Sequence, residues 1–478
     1  MINKRQFYID GDWKDPLDGR DHQVTDPSTE EPCAVISLAG KADVDAAVAA
    51  AKAALTGWMA TPSNERITAV ERFLEIYRQR AEDVASSVSV QMGAPIALAR
   101  SVHATLAVRH TQNFLRAAKT FAFSQPLSEE YPDTRIVHEA VGVCALITPW
   151  NWPQNQISLK VIAALIAGCT VVLKPSEESP LDAVVFAECI DAAGFPKGVF
   201  NLVNGDGAGA GTLLTTHEDV DMVSFTGSTR AGIAISKAAA DTLKRVHLEL
   251  GGKGANIVFG DADEAAIERG VRQMMNNSGQ SCNAPSRMLV ERSLYPEAVE
   301  TAARIARSIP VASAHEDGPH IGPVVNAAQW EKIQGLIQKG LDEGAQLVAG
   351  GPGRPEGLNR GYFVRPTIFA DVNNTMTIAR EEIFGPVLTM IPFDTEEEAI
   401  AIANDTIYGL TNYVQTSDGA KANRVASKLR SGMVEMNGKP RGPGAPFGGM
   451  KRSGNGREAG IWGIMDFLEV KAVSGWTP

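Results

Sequence analysis

A chain of 478 residues is about three times the usual domain length, so two or three domains with large cores are expected. Hydrophobic and charged fractions of 44% and 21% are those of a soluble globular protein, and a net charge of −11 with no Lys/Arg stripe excludes a surface built for nucleic acid. The five cysteines, Cys33, Cys144, Cys169, Cys189 and Cys282, are odd in number and contain no CxxC pair, which excludes a disulfide framework or zinc site and fits a reducing cytosol.

Residues 1–10 lack the apolar core of a signal peptide, so export is not expected. From Asp43 to Trp58 and from Ser63 to Met92, apolar residues recur at three-to-four spacing, which predicts amphipathic packing helices. Ala140 to Leu159 is uncharged, but Pro149, Asn151, Pro153, Gln154, Asn155 and Gln156 suit lipid poorly, and the apolar run Val161 to Leu173 is too short to span. No membrane contact is expected.

Short apolar runs then alternate with helix-length stretches. Val143–Ile147, Thr170–Leu173, Val199–Val203, Met222–Phe225, Val246–Leu250 and Asn256–Phe259 are the strand candidates of a parallel sheet covered on both faces. Helices at Tyr295–Ile309 and Ala327–Glu343, with strands at Gln346–Val348 and Val387–Phe393, predict a second α/β domain.

Ligands of a parallel sheet bind at the carboxyl ends of its strands, where helix N-termini aim donors at phosphate. Lys174 and Glu177 follow one such strand. Glu177 can accept from ribose hydroxyls and repel a 2′-phosphate, which favours NAD over NADP; the alternative is a solvated pair opening a helix. Gly205 to Gly211 contains a GxGxxA pattern after a strand, but a lone match is weak and reads as a tight turn into a helix.

The loop around Cys282, Asn276-Asn277-Ser278-Gly279-Gln280-Ser281-Cys282-Asn283-Ala284-Pro285, is too rich in turn residues to continue a helix. It predicts a partly exposed thiol beside groups that favour the thiolate, against the alternative of a cysteine that merely falls in a loop. Glu249 ends an apolar strand before Gly251-Gly252, where partial burial raises a carboxyl toward the range of a useful base; pairing with Lys253 is the alternative. Asn151 is either a donor or a turn-stabilising residue. The eight histidines show no HExxH or ligand spacing, and there is no GxSxG, so neither a metal site nor a serine hydrolase is expected. His247, within an apolar strand, reads as a satisfied core residue.

Thr148-Pro149-Trp150-Asn151-Trp152-Pro153, Leu173-Lys174-Pro175-Ser176-Glu177, Phe225-Thr226-Gly227-Ser228-Thr229, Leu248-Glu249-Leu250-Gly251-Gly252-Lys253, Gly279-Gln280-Ser281-Cys282 and Glu381-Glu382-Ile383-Phe384-Gly385-Pro386 follow one another in the chain. In this order they resemble the aldehyde dehydrogenase superfamily from end to end. Within it, Asn155 to Lys160 and Ser278 to Pro285 look most like a bacterial branch acting on oxo-acids such as 6-oxolauric acid.

The resemblance implies an α/β fold with two doubly wound domains: a Rossmann-like NAD-binding domain (1–120 and 141–251) and a catalytic domain (252–452). A small β oligomerisation element (121–140 and 453–478) implies a homodimer or homotetramer. The implied reaction is NAD-dependent oxidation of a small-molecule aldehyde to the acid. Hydride loss from a free carbonyl would leave an acylium ion, so Cys282 adds first, giving a thiohemiacetal and then a thioester. Asn151 and the Cys282 backbone N–H form the oxyanion hole, Glu249 activates water, and Lys160 and Glu458 match a proton relay or, equally, a structural salt bridge.

Cofactor contacts are implied for Thr148, Pro149, Trp150, Lys174, Ser176, Glu177, Gly207, Thr226, Gly227, Ser228, Leu250, Gly251, Glu382 and Phe384. The substrate funnel is implied for Trp152, Leu159, Ser281, Asn283 and Phe447. Arg441 lies at its mouth as an unpaired cation suited to an ω-carboxylate, or as a surface arginine with its head in water. A CoA-acylating dehydrogenase, which Glu249 argues against, and a non-catalytic protein of the same fold are the remaining alternatives.

Overall fold

The structure, a computed structural model, describes residues 1–477. Short runs such as Val-Cys-Ala-Leu-Ile and Thr-Val-Val-Leu-Lys are buried along their whole length, as strands covered on both faces must be. They build a seven-stranded sheet in the order Arg245–Glu249, Met222–Thr226, Val143–Ile147, Thr170–Lys174, Phe200–Leu202, Phe7–Ile9 and Asp12–Lys14. The first five are parallel, and the last two add an antiparallel edge.

From Val143–Ile147 the chain first fills one side of the sheet and then returns to fill the other. The carboxyl ends of Val143–Ile147 and Met222–Thr226 therefore flank a topological switch point, where an open α/β sheet leaves a crevice. The helix Pro153–Ala167 leaves this crevice with proline at its first position, where its fixed φ and missing donor cost nothing.

A second seven-stranded sheet follows in the order Gln346–Ala349, Thr367–Ala370, Val387–Phe393, Arg287–Glu291, Ala255–Val258, Thr411–Gln415 and Met433–Met436, all parallel except Gln346–Ala349. Each sheet has an apolar cluster on both faces. A separate sheet pairs Arg135–Ala140 between Ser124–Pro126 and Leu468–Val473, leaving Leu468–Val473 on an edge. Among the described residues no helix is long and apolar enough to cross a membrane.

Two expectations change. The periodic stretch from Ser63 to Met92 is two helices, Ser63–Gln79 and Ala81–Met92, because Arg80 (φ −101°, ψ 10°) leaves the helical region without disturbing the apolar spacing. The N-terminus, read only as unsuited to export, supplies three strands, Ile2–Lys4, Arg20–Asp26 and Glu31–Leu38, that form their own sheet.

Candidate active site

The loop to Cys282 is held in an unusual backbone shape. Asn277, Ser278 and Gly279 all have left-handed φ, at 51°, 56° and 72°. Such residues cost about 1–2 kcal/mol each unless they are Gly, so side-chain bonds must hold them. Asn277 Nδ2 donates to the Asn151 carbonyl at 2.9 Å, Ser278 Oγ donates to the Gly322 carbonyl at 2.7 Å, and Gln280 Oε1 accepts from Val325 N at 3.0 Å. Asn151 in turn donates its Nδ2 to the Gln280 carbonyl at 3.0 Å, leaving one amide hydrogen for a developing oxyanion. Cys282 is partly exposed.

Its electrostatic setting differs from the expected one. Burial, followed by the carboxylates of Glu382, Glu249 and Glu458, pushes the thiol well above its ordinary value. No cation outweighs them, so the resting group is a thiol, and a thiolate would have to be formed in place.

Glu249 ends the edge strand of the first sheet and is 2% exposed, with neither carboxylate oxygen partnered. Burial, then the Glu458 carboxylate, drives it far above the usual carboxyl range, against an opposing pull from Lys160. The alternative pairing with Lys253 does not form: Lys253 Nζ is buried without a partner, and burial brings that ammonium down to about 7. The Gly251-Gly252 pair is dictated by close approach. A Cβ on Gly252 would strike the Cys282 carbonyl, so glycine lets the chain leaving Glu249 pass close against the Cys282 backbone.

Behind Glu249, Lys160 Nζ meets Glu458 Oε1 at 2.6 Å and Ser224 Oγ at 3.1 Å, all buried. His247 is buried, as a core residue is expected to be, but its surroundings are charged: its Nδ1 lies 2.7 Å from Asp466 Oδ2 and its Nε2 3.9 Å from Glu458 Oε1. Nothing in the local sequence signals these neighbours, which come from some 200 residues away.

Two cavities meet at Cys282. The first, at the switch point, has a volume of about 150 Å³ and brings together Pro149, Trp150, Asn151, Thr226, Gly227, Ser228, Leu250, Gly251, Glu382 and Phe384 with Cys282. Trp150 and Phe384 meet edge to face at 5.5 Å. Glu382 accepts from Gly252 N at 2.7 Å, and its backbone carbonyl accepts from Lys332 Nζ at 2.9 Å. Sequence reasoning missed three wall residues, Gln156, Gln329 and Lys332, which sit inside helical stretches without motif character.

The remaining cofactor candidates lie off this cavity, at the end of Thr170–Lys174. Thr148 N donates to the Lys174 carbonyl at 3.1 Å, and Ser176 Oγ accepts from Glu178 N at 3.2 Å. Lys174 Nζ donates to the carbonyls of Gly205 (2.5 Å) and Pro175 (2.8 Å) and lies 3.9 Å from the more exposed Glu177. Gly207 opens a single turn, Gly207–Gly211, capped by Asp206 and running into a short helix. A dinucleotide fits this donor set. Ser228 caps the helix Thr229–Ala239 and aims an N-terminus into the crevice, the setting that suits a pyrophosphate, and acidic Glu177 suits a ribose diol.

The second cavity, about 580 Å³, is a funnel whose walls include Trp152, Leu159, Ser281, Asn283, Arg441 and Phe447, with Cys282 also among the lining residues. Trp152 is fixed from both sides: Nε1 donates to Ser281 Oγ at 2.7 Å, and the ring stacks on buried His103 at 4.3 Å. Arg441 is not unpaired. It binds Glu435 at 3.2 Å and lies over the Phe447 ring at 4.8 Å, so its charge is already balanced. Arg109 and Arg116, which sequence reasoning passed over, line the same wall, and neither forms an ion pair among the described residues. No cluster of His, Cys, Asp and Glu that could hold a metal ion occurs among the described residues.

The chain matches the family model described as the aldehyde dehydrogenase family over residues 13–473. It is 50% identical to the 3-succinoylsemialdehyde-pyridine dehydrogenase of a Pseudomonas species, covering 100% of this chain and 99% of that one. Among solved structures, an aldehyde dehydrogenase from Bartonella henselae is 56% identical with a TM-score of 0.99, covering 100% of both chains. A variant of aldehyde dehydrogenase C from Pseudomonas syringae, complexed with NAD+ and octanal, is 48% identical with a TM-score of 0.97, covering 99% of this chain and 97% of that one.

Proposed function

Because the chain belongs to the aldehyde dehydrogenase family, we propose that it oxidises an aldehyde to the carboxylic acid with NAD as cofactor, through Cys282 as nucleophile and Glu249 as base. One observation carries the assignment of residues: Cys282 lines both the switch-point cavity and the funnel, so a molecule in each would meet at its sulfur.

The aldehyde enters the funnel and its carbon bonds to Cys282 Sγ, the thiol proton passing to a neighbouring carboxylate. Asn151 Nδ2 and the Cys282 backbone N–H hold the oxygen as it gains charge, each donor contributing about 3–4 kcal/mol at the transition state. NAD+, held at the switch point, would supply the hydride acceptor, and loss of hydride from the carbon bonded to Cys282 Sγ would leave a thioester on Cys282. Glu249 then removes a proton from water as that oxygen attacks the thioester carbon, and the C–S bond breaks to release the acid. The partnerless, buried carboxylate of Glu249 is suited to this because its raised affinity for protons makes it a stronger base when ionised. Lys160 and Glu458 hold charge behind it.

Pro149, Trp150, Thr226, Gly227, Ser228, Leu250, Gly251, Glu382 and Phe384 are assigned to the nicotinamide and pyrophosphate end, and Thr148, Lys174, Ser176, Glu177 and Gly207 to the adenosine end. The division into 1–120 with 141–251, 252–452, and 121–140 with 453–478 is supported by the four sheets, none of which takes strands from more than one of these parts. The apolar part of the funnel wall, Val102, Leu106, Trp152, Leu159 and Phe447, suits a medium-length aldehyde chain, in keeping with the octanal bound by the Pseudomonas syringae enzyme. A homodimer or homotetramer built on the edge strand Leu468–Val473 is supported by the outward Val470 and the exposed Trp462 and Met465. A cytoplasmic location is supported by the five free cysteines.

The test is NADH formation from NAD+ and a panel of aldehydes. Cys282→Ala abolishes turnover while NAD+ affinity stays near wild type; turnover close to wild type would overturn the assignment.

A further inference from the structure

Oxidising an aldehyde with water to a carboxylate, with hydride going to the cofactor, leaves two protons in the site at each turnover. They need an exit that does not run through the two occupied cavities. The edge strand Arg245–Glu249 provides one, because alternate residues of a strand share a face. Glu249, His247 and Arg245 thus form a row from the buried site toward the surface.

His247 bridges the row to a second set of groups. It is 4% exposed, with Nε2 3.9 Å from Glu458 Oε1 and Nδ1 2.7 Å from Asp466 Oδ2, neither nitrogen being aligned for a hydrogen bond in the resting arrangement. The Asp466 side chain is 35% exposed and so reaches solvent. The charged groups around the imidazole are Glu249 and Arg245 on its own strand, Lys160 on the helix behind, Arg457 and Glu458 on the segment alongside, and Asp466 at the helix end. Lys160 is bound to Glu458, while Arg245 is bound to Glu469 and to the Asp466 carbonyl. Arg457 presents its backbone N–H to Asp466 Oδ2 at 2.9 Å. The ring stacks on Phe467, and a Cβ on Gly456 would overlap it, so glycine gives the imidazole its room.

We propose that His247 and Asp466 are the proton outlet of the active site, conducting protons from Glu458 to solvent beside Arg245. Glu458 receives the proton that Glu249 has taken from water, which rests on the reading of Glu249 given above. A small rotation of the Glu458 side chain closes the gap to Nε2. The imidazole binds the proton there, tilts to align Nδ1 with Asp466 and releases its Nδ1 proton to it, and the Asp466 carboxyl loses it to bulk water. Rotation of the ring restores the starting tautomer. Both residues are positioning groups for proton movement, since neither touches the reacting atoms.

The experiment follows hydrolysis of the acyl enzyme in single turnover for His247→Gln and Asp466→Asn across pH 7 to 9, with the NADH burst and NAD+ affinity measured alongside. Each variant is expected to slow hydrolysis about 10-fold at pH 7, less than the 10²–10⁴ of a group acting in the transition state itself. The burst and NAD+ affinity stay at wild type, and the defect shrinks as pH rises and dissolved base replaces the outlet. The double variant is no slower than either single one, because both interrupt one route. Wild-type hydrolysis in both variants, or a loss equal at every pH and shared by the burst, would overturn the proposal. Glu249→Gln run beside them separates two failures. If it hydrolyses the acyl enzyme normally, the role of Glu249 falls; if it is blocked while the outlet variants are unimpaired, only the outlet falls.

Discussion

Replacing Glu249 by Gln preserves the side chain's size and removes its capacity to accept a proton. Neither carboxylate oxygen is partnered in the folded chain, so the substitution breaks no hydrogen bond. A general base contributes about 10²–10⁴-fold, a barrier increase of about 3–5 kcal/mol. The increase falls on thioester hydrolysis alone, since hydride has already departed. Stopped-flow absorbance should therefore show an NADH burst of wild-type amplitude followed by a steady rate lower by that factor.

Stability supplies a second readout of the same substitution. A carboxyl raised above its ordinary 4.5 on folding leaves the folded chain holding more protons than the unfolded one above that pH. Its contribution is fully present below about 4.5 and is lost as pH rises toward the folded value. The Gln variant lacks this loss, so its Tm relative to wild type should improve from pH 4 to pH 7. Loss of the burst together with turnover, or a steady rate equal to wild type, would refute the assignment; a falling relative Tm would refute the buried, unpaired carboxyl.

Three further outcomes are expected. Burial and the surrounding carboxylates hold the Cys282 thiol above its ordinary 9.0, so inactivation of the cofactor-free enzyme by iodoacetamide keeps accelerating through pH 9, and a plateau near pH 7 would contradict the described setting. Glu177→Gln narrows the preference for NAD over NADP by removing charge repulsion with the 2′-phosphate, measured as the ratio of kcat/KM values; equal use of both cofactors by the wild type would refute it. Arg441→Ala lowers activity alike on an ω-oxo acid and on the plain aldehyde of equal length, because Glu435 already balances the guanidinium; a selective loss of about 1.5–3 kcal/mol with the oxo acid would restore a direct role in binding.

The parallel strands were readable because a fully buried strand writes itself as an unbroken apolar run: Val143–Ile147 and Val387–Phe393 have the predicted bounds. The break at Arg80 was invisible because the apolar spacing continues across it. Short N-terminal strands such as Ile2–Lys4 and Asp12–Lys14 are largely exposed and carry no such run. Motif residues of the site were legible as residue types in ordered strings. What the strings could not convey was electrostatic company: three carboxylates around Cys282, Glu435 beside Arg441, and Asp466 against His247 are contacts between distant segments. Lys332 shows the same limit, since a surface-type residue on a helix reaches the Glu382 carbonyl only through the packing of that helix.

The two cavities have only Gln156 and Cys282 in common among their lining residues. Under the proposed function, acid and reduced cofactor would depart by different mouths, and neither would have to clear the way for the other. The same separation divides what variation can touch. On the same reading, exchanges along the funnel, at Trp152, Leu159 or Phe447, would retune the choice of aldehyde while the switch-point pocket went on holding its dinucleotide, so new substrates would be accessible without rebuilding the half of the enzyme that handles electrons.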